Sequence, residues 1–145
     1  MATSETGQAI AEACADALWS RDGVCREFGL SLDRVGPGEA VLSMTVAERM
    51  TNGHGTAHGG LIFTLADTAF GYASNTRDQR TVAQHCSVTF VAAAAVGDRL
   101  TATAVERSLV GRSGIYDVTV TDQTGRVVAE FRGHSRTIKG TLLDD

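Results

Sequence analysis

A histidine- and glycine-rich loop runs directly into an apolar helical pattern between Asn52 and Asn75, and this stretch holds the residues best suited to chemistry. A helix that begins at the end of the loop leaves backbone N–H groups free, and such groups stabilise a developing oxyanion. Asp67 follows two turns later among apolar residues, where a carboxylate is costly unless it has a partner or a function. Together these features indicate acyl chemistry on a carbonyl.

Asp67 belongs to a stripe of otherwise small residues on one side of this helix. The stripe consists of Gly60, Thr64, Asp67, Gly71 and Ser74. Since each interior glycine costs a helix about 1 kcal/mol relative to alanine, the stripe predicts that a strand, a second subunit or a ligand approaches closely. Apolar walls are expected to raise the pKa of Asp67 towards a value that suits a general base.

Other chemistries find less support in the residues. His54 and His58 are four residues apart, but the loop does not constrain their spacing and no fourth ligand follows, so no metal site is predicted. His58 is expected instead to order the loop by hydrogen bonding or to line the site, and a role as an acid is an alternative. The chain has no Gly-x-Ser-x-Gly nucleophile elbow, and Cys86 has no base paired to it by spacing.

Composition describes an ordinary globular chain of 145 residues, 43% hydrophobic and 21% charged. We expect a single domain over residues 1–145. A net charge of -4 without a basic stripe argues against a nucleic-acid partner. No apolar run approaches the ~20 residues of a membrane span and no signal-peptide pattern is present, so neither membrane association nor export is expected. Three scattered cysteines fit reduced thiols in the cytosol.

The remaining pattern predicts one further helix and a set of antiparallel strands. Gly36-Pro37-Gly38 is a strong turn signal between two alternating segments, which predicts a hairpin. The tail from residue 140 to 145 is expected to be loose. The predicted elements are an N-terminal helix over about 8–20, strands over 28–35 and 39–46, a central helix over about 59–75, and strands over 81–92, 99–109, 114–121 and 126–138.

These elements predict an α+β fold. One long apolar helix beside five to six strands is best buried when the antiparallel sheet wraps around it. Such a sheet has open edges that invite pairing with a second copy, so a dimer is expected.

The loop and helix, taken with later segments, resemble the PaaI-type hotdog thioesterases of phenylacetate degradation. The block from Asn52 through Asp67 to Asn75 is the specific part of the resemblance, which extends over about residues 10–138. The later matching segments are Gly97-Asp98-Arg99-Leu100, Gly111-Arg112, Gly114-Ile115-Tyr116-Asp117-Val118, Gly125, Val128-Ala129 and Phe131-Arg132-Gly133.

The resemblance implies a hotdog fold and hydrolysis of acyl-CoA thioesters, with no cofactor other than the coenzyme A of the substrate. It implies a homodimer, often paired into a tetramer. By position, Asp67 matches the catalytic nucleophile or general base, and Gly59 the residue whose N–H polarises the thioester carbonyl. Asn52 matches the residue that places water or substrate. The family builds each site across the dimer interface, so Asp67 would face Asn52 and Gly59 of the other chain.

Substrate contacts are predicted for His58, Gly60 and Thr64, and Arg112 is the favoured arginine for the coenzyme A phosphates. The resemblance implies aryl or arylacetyl esters, such as phenylacetyl- or hydroxyphenylacetyl-CoA. A medium-chain fatty acyl-CoA thioesterase and a non-catalytic acyl-CoA-binding module remain alternatives. A hotdog dehydratase is disfavoured, because the proline-bearing motif around its histidine is missing.

Two departures from the family pattern are visible. Relatives have a proline in the segment after the long strand, where this chain has only residues 92–95, all alanine, and the turn there is expected to be looser. Some relatives place a hydroxyl residue near Ala83 to assist the water. Here position 83 is apolar, so such a helper is either absent or is Thr64, Thr68 or Ser87.

Overall fold

The computed structural model describes residues 2–143 of the chain. The described residues form three α-helices, one 3₁₀ turn and six strands, and none of these helices is long and apolar enough to cross a membrane. In chain order the elements are α1 (Ala2–Trp19), α2 (Gly23–Phe28), β1 (Ser31–Gly36), β2 (Glu39–Thr45), the 3₁₀ turn (Glu48–Met50), α3 (Gly59–Ser74), β3 (Thr81–Phe90), β4 (Arg99–Val110), β5 (Ser113–Thr121) and β6 (Val127–Thr137).

All six strands join one antiparallel sheet in the order β1-β2-β4-β5-β6-β3. β3 follows α3 in the chain yet pairs with β6, so the helix crosses the sheet and delivers β3 to the edge opposite β1. The predicted α+β arrangement, a sheet around one central helix, is confirmed.

Helix α3 buries one face against the concave side of the sheet. The face predicted from the 3.6-residue period is the buried one, and each member is at most 3% exposed: Ile62, Leu65, Ala66, Ala69 and Ala73. Phe70 continues this face, with its ring 5.5 Å from Tyr116 and 5.8 Å from Phe131. The core therefore holds α3 in one rotation about its axis, which fixes where the small-residue stripe points.

A short helix, α2, occupies the place where the first strand was expected to begin. Asp22 caps it by accepting a hydrogen bond from the Cys25 N–H at 3.0 Å, and Gly29 ends it with a φ of 67°. Six residues are too few for a helical period to show in the sequence, so the strand prediction began at residue 28, whereas β1 begins at Ser31. Likewise, α1 begins before the predicted residue 8.

The C-terminal segment is more firmly held than expected. Leu142 is 4% exposed, and the N–H groups of Leu142 and Leu143 both donate to the Asp78 carboxylate. The expectation of a loose tail is therefore wrong for residues 140–143, and residues 144–145 lie outside the described part.

The alanine segment that replaces the family's proline is also well tied. The Val128 carbonyl accepts hydrogen bonds from the N–H groups of residues 91 and 92, and Ala94 O accepts one from Ala57 N at 2.8 Å. Arg126 donates to Ala93 O at 2.6 Å. These hydrogen bonds tie the alanine segment to β6 and to the loop before α3.

Gly133 in β6 provides a test of how closely α3 packs on the sheet. A Cβ there would lie 2.7–2.8 Å from the Phe70 ring, which is itself buried. Gly133→Ala is therefore expected to lower the free energy of unfolding by about 1–3 kcal/mol, the usual effect of overpacking. Chemical denaturation measures this change.

Gly53→Ala is the matched control, because a Cβ at Gly53 meets nothing within 4 Å. Equal stability of the two alanine variants would contradict this close packing of α3 on β6.

Candidate active site

Asn52 organises the loop that leads into α3. Its side-chain oxygen accepts hydrogen bonds from the His54 N–H at 2.9 Å and the Thr56 N–H at 3.2 Å, and its amide donates to the Thr56 hydroxyl at 3.1 Å. Asn and Asp favour such turns because the side chain hydrogen-bonds the backbone that follows. The loop-forming role of Asn52 is thus visible in the chain, while its role towards water or substrate remains a prediction.

His58 is the N-cap of α3, and it determines which N–H groups of the first turn are hydrogen-bonded. Its Nδ1 accepts a hydrogen bond from the Gly60 N–H at 2.9 Å, so that donor is already used. Within residues 2–143, no group accepts a hydrogen bond from the Gly59 N–H. The predicted ordering of the loop by His58 is therefore observed, and Gly59 is the residue left with a donor for a ligand.

The Gly59 N–H belongs to a cleft of about 360 Å³. Asn52, Thr56 and Gly59 line one side, and Phe90 with the alanine segment after β3 lines the other. A Cβ on Gly59 would lie 3.0 Å from the Phe90 ring, so only glycine leaves the ring its present place. Phe90 is 50% exposed, so this wall of the cleft is itself open to a neighbour.

Asp67 lines a second and larger cavity of about 590 Å³ between α3 and the α1–α2 connection. Burial raises the pKa of the Asp67 carboxyl above its usual range, and no hydrogen-bond donor or cation among the described residues offsets this. Burial, and to a smaller extent the charge of Asp67, raises the pKa of the Cys86 thiol. The Asp67 carboxylate therefore lies near strand β3. A half-buried carboxylate without a partner is suited to take up a proton.

The stripe around Asp67 is only partly covered by the described residues. A Cβ on Gly71 would meet nothing within 4 Å, and Thr64 lines the same cavity as Asp67. The Thr64 and Thr68 hydroxyls donate back to helix carbonyls, Gly60 O at 2.8 Å and Thr64 O at 2.6 Å. Their oxygens remain available as acceptors.

Ser87 is not placed to help Asp67 within the chain. Side chains alternate along a strand, and Cys86 and Val88 pack against the core, so Ser87 faces the outer side of the sheet. There it lines a shallow depression with Arg107 and Asp117. The sequence-based suggestion of Ser87 is therefore wrong for this fold.

One chain does not bring Gly59 and Asp67 to the same carbonyl. They lie eight residues apart on one helix, which is about 12 Å at 1.5 Å per residue, and they line different cavities. Arg112 lies elsewhere, exposed in the turn between β4 and β5. Arg112 lines neither the Gly59 cleft nor the Asp67 cavity.

Sequence reasoning did not predict helix α2, whose start forms part of the second wall of the Asp67 cavity. Leu18, Arg21, Asp22 and Val24 form this wall, all from the end of α1 and the start of α2. The signal available in the sequence was Asp22, a residue type favoured as a helix N-cap. No group of three or more potential metal ligands is found among residues 2–143.

Known proteins share both the sequence and the fold of this chain. The model of the Thioesterase superfamily matches residues 54–129, from the loop before α3 to the start of β6. The acyl-coenzyme A thioesterase PaaI of Escherichia coli is 41% identical over 131 residues, which is 90% of this chain and 94% of that protein. The solved structure of the E. coli PaaI protein, from the phenylacetic acid degradation operon, superposes with a TM-score of 0.91 at 40% identity, covering 92% of this chain and 97% of the other.

Two further structures share the fold. The TT0310 protein of Thermus thermophilus is 40% identical with a TM-score of 0.79, covering 81% of this chain and 99% of its own. The smu.793 protein of Streptococcus mutans, solved bound to acetyl CoA, is 26% identical with a TM-score of 0.73. The match covers 77% of this chain and 90% of that protein's chain. The fold and site define a hotdog thioesterase. The chain belongs to the Thioesterase superfamily, as its sequence predicted.

The burial of Asp67 has a consequence for stability. Because its pKa is raised in the folded state, folding favours the protonated carboxyl, and this contribution is lost as the pH rises through the folded-state pKa. Asp67→Asn, which carries no charge, is therefore expected to be more stable than the wild type at about pH 7, with the difference shrinking towards about pH 4. Thermal unfolding at a series of pH values measures it.

Asp33→Asn removes an exposed carboxylate and serves as the control. A destabilised Asp67→Asn at neutral pH would mean that the carboxylate has a stabilising partner, contrary to the geometry of this site.

Proposed function

We propose that this chain hydrolyses arylacetyl-CoA thioesters to the free acid and coenzyme A. The proposal is based on one observation: helix α3 carries two polar groups that have no partner among the described residues. These groups are the Asp67 carboxylate with its raised pKa and the Gly59 N–H without an acceptor. The relative from E. coli is named an acyl-CoA thioesterase, and the Streptococcus relative was solved with acetyl CoA, which supports an acyl-CoA substrate.

The site is proposed to form between two copies of the chain, since Gly59 and Asp67 are about 12 Å apart within one. β3 is an edge strand with an unpaired side, and both of its ends carry exposed apolar residues: Val82 is 44% exposed, Phe90 50% and Val91 55%. Antiparallel pairing of β3 with a second β3 would place the Val82 end of one copy beside the Phe90 end of the other. Asp67 of one copy would then face Gly59 and Asn52 of the second copy. Pairing of such dimers into a tetramer remains part of the proposal.

The chemistry follows from the two groups. The Gly59 N–H donates to the carbonyl oxygen of the thioester and stabilises its negative charge in the tetrahedral intermediate. Asp67 either removes a proton from the attacking water or attacks the carbonyl carbon itself, giving an anhydride that water then hydrolyses. In both routes the C–S bond breaks and coenzyme A leaves as the thiolate. No cofactor is required.

The proposal also covers the acyl group of the substrate and the cellular compartment of the reaction. The E. coli relative comes from a phenylacetic acid degradation operon, which supports an arylacetyl group over a medium-chain fatty acyl group. We place the reaction in the cytosol, and the three free cysteines fit a reducing compartment. His58, Gly60, Thr64 and Arg112 are the residues proposed to contact the bound ester, Arg112 at a coenzyme A phosphate.

Asp67→Asn is expected to lower kcat by about 100–10,000-fold on phenylacetyl-CoA, because the general base or nucleophile is lost. Release of free thiol measures the rate. Since the raised pKa keeps Asp67 protonated to a higher pH than an ordinary aspartate, wild-type kcat is expected to fall on acidification through that pKa. Asp33→Asn is the control, and a wild type that binds arylacetyl and octanoyl esters without releasing thiol would refute the thioesterase proposal.

The shared site has a direct test in mixed dimers. Gly59→Pro removes the N–H, yet proline is tolerated at the first helical position and His58 already has the extended ψ of 133° that precedes proline readily. It is expected to lower kcat by about 100–1,000-fold. Gly59→Ala is the matched control, because it brings a Cβ equally close to Phe90 but keeps the N–H.

Dimers reassembled from equal amounts of Asp67→Asn and Gly59→Pro chains then distinguish the two arrangements. If each site takes one group from each copy, random mixing restores about one quarter of the wild-type activity, because half of the dimers have one intact site of two. If each site lies within one chain, no activity returns.

A further inference from the structure

Two of the four histidines lie side by side on the outer side of the sheet, away from α3. His85 of β3 and His134 of β6 are directly opposite each other in the antiparallel ladder. Their ring centroids are 5.5 Å apart, with the ring planes at 81°. Gly133 faces the Phe70 ring in the core, so its neighbour His134 points outwards, since side chains alternate along a strand. His85 precedes the core-facing Cys86 and shares that outer side.

A β-bulge at Gln84 creates this pair of histidines. Ala83 pairs with Ser135 in the ladder between β3 and β6. In an unbroken ladder Gln84 would therefore lie opposite His134, and His85 would face the side of α3. The extra residue shifts the register by one, which brings His85 opposite His134 on the outer side. The two rings are thus neighbours because of a defined irregularity of the strand.

The fold uses neither imidazole as a hydrogen-bonding group. Among residues 2–143, no hydrogen bond or ion pair involves the ring of His85 or His134. His85 is exposed and His134 is partly exposed, so a solute reaches both rings. Each neutral imidazole has one nitrogen lone pair, and imidazole is a ligand that Zn²⁺, Ni²⁺ and Cu²⁺ all accept. The pair therefore offers two free nitrogen ligands on two hydrogen-bonded strands.

The separation of the two rings matches a shared metal ion. With metal–nitrogen bonds of about 2.0–2.1 Å and a tetrahedral angle between them, the centroids of two imidazoles lie about 5.3 Å apart. The observed 5.5 Å is close to this distance. The rings meet edge to face, and rotation about the broad terminal torsion of each side chain turns one nitrogen of each towards a common point. No hydrogen bond has to break for this rotation.

One of the two neighbouring arginine charges is offset and the other is not. Arg132 donates to the Asp117 carboxylate at 2.7 and 2.9 Å. Arg136 lies two residues beyond His134 on the same side of β6, and it has no ion pair in the described part of the chain. A cation bound at the histidines is therefore repelled by Arg136.

We propose that His85 and His134 bind one divalent transition-metal ion, such as Zn²⁺, on the outer side of the sheet. No cluster of three or more His, Cys, Asp or Glu is found within residues 2–143, so water completes the coordination. The ion links the edge strand β3 to β6. Because the two ligands come together only in the folded chain, the ion stabilises the fold as its concentration rises. This site uses neither Asp67 nor Gly59.

Calorimetric titration of the metal-free chain with zinc chloride tests the proposal. The wild type is expected to show saturable binding. His85→Gln and His134→Gln are each expected to weaken it by at least about 10-fold, since loss of even an outer-shell partner typically costs about 10–100-fold in metal affinity. The double variant is expected to bind little more weakly than either single variant, because a chelate is lost with its first ligand.

Three further variants serve to locate the ion. His54→Gln removes an exposed histidine from the loop and is the matched control, with an affinity equal to that of the wild type. Cys86→Ala removes the half-buried thiol on the α3 side of β3 and should also leave the affinity unchanged. Arg136→Gln is expected to tighten binding by up to about 5-fold, the effect of removing a unit charge about 8 Å from a divalent ion in water.

A second measurement requires no variant. One equivalent of Cu²⁺ added to the wild type is expected to give an electron paramagnetic resonance spectrum with two nitrogen ligands, and zinc chloride is expected to raise the Tm of the wild type. Absence of saturable Zn²⁺ binding would overturn the inference. So would wild-type affinity in both His85→Gln and His134→Gln, or a Cu²⁺ spectrum without two nitrogen ligands.

Discussion

Burial of one face of α3 against the sheet is the constraint on which the rest of the structure depends. Ile62, Leu65 and Ala69 are at most 3% exposed, so the helix cannot rotate without exposing its core face. This fixes the opposite stripe towards the open side of the sheet. Asp67 therefore keeps a half-buried position beside β3 even though no described group pairs with it. The apolar face of α3 thus determines where Asp67 lies, although Asp67 is not part of that face.

The start of the same helix is set by a local competition for N–H groups. A helix has more free donors at its first turn than its own carbonyls can satisfy. The His58 side chain accepts the hydrogen bond of the Gly60 N–H and leaves the Gly59 N–H free, and a Cβ at Gly59 would lie 3.0 Å from the Phe90 ring. Capping by His58 therefore leaves one specific donor at a residue that lines the cleft.

Much of this could be predicted from the sequence because its signals are local. The 3.6-residue period of α3 predicts its buried face, and Asn-Gly with His-Gly-Gly predicts a loop that opens a helix. The positions of Asn52, Gly59 and Asp67 along the chain also follow from the family resemblance. What could not be predicted depends on contacts between distant segments. The wall formed by Asp22 requires α2 to pack beside α3, and Asp22 reaches Tyr72 across 50 residues of chain.

The separation of Gly59 and Asp67 on one rigid helix explains why the open edge of β3 matters for chemistry. A bent helix or a longer loop could have joined the two groups within one chain, but α3 is straight enough to carry a continuous core face from Ile62 to Ala73. The distance between them is therefore fixed at about 12 Å by helical geometry. A second copy of the chain, paired along the exposed edge of β3, supplies the second of these two groups without any rearrangement of the core. Thus the packing that stabilises the single chain is the same feature that leaves its site incomplete.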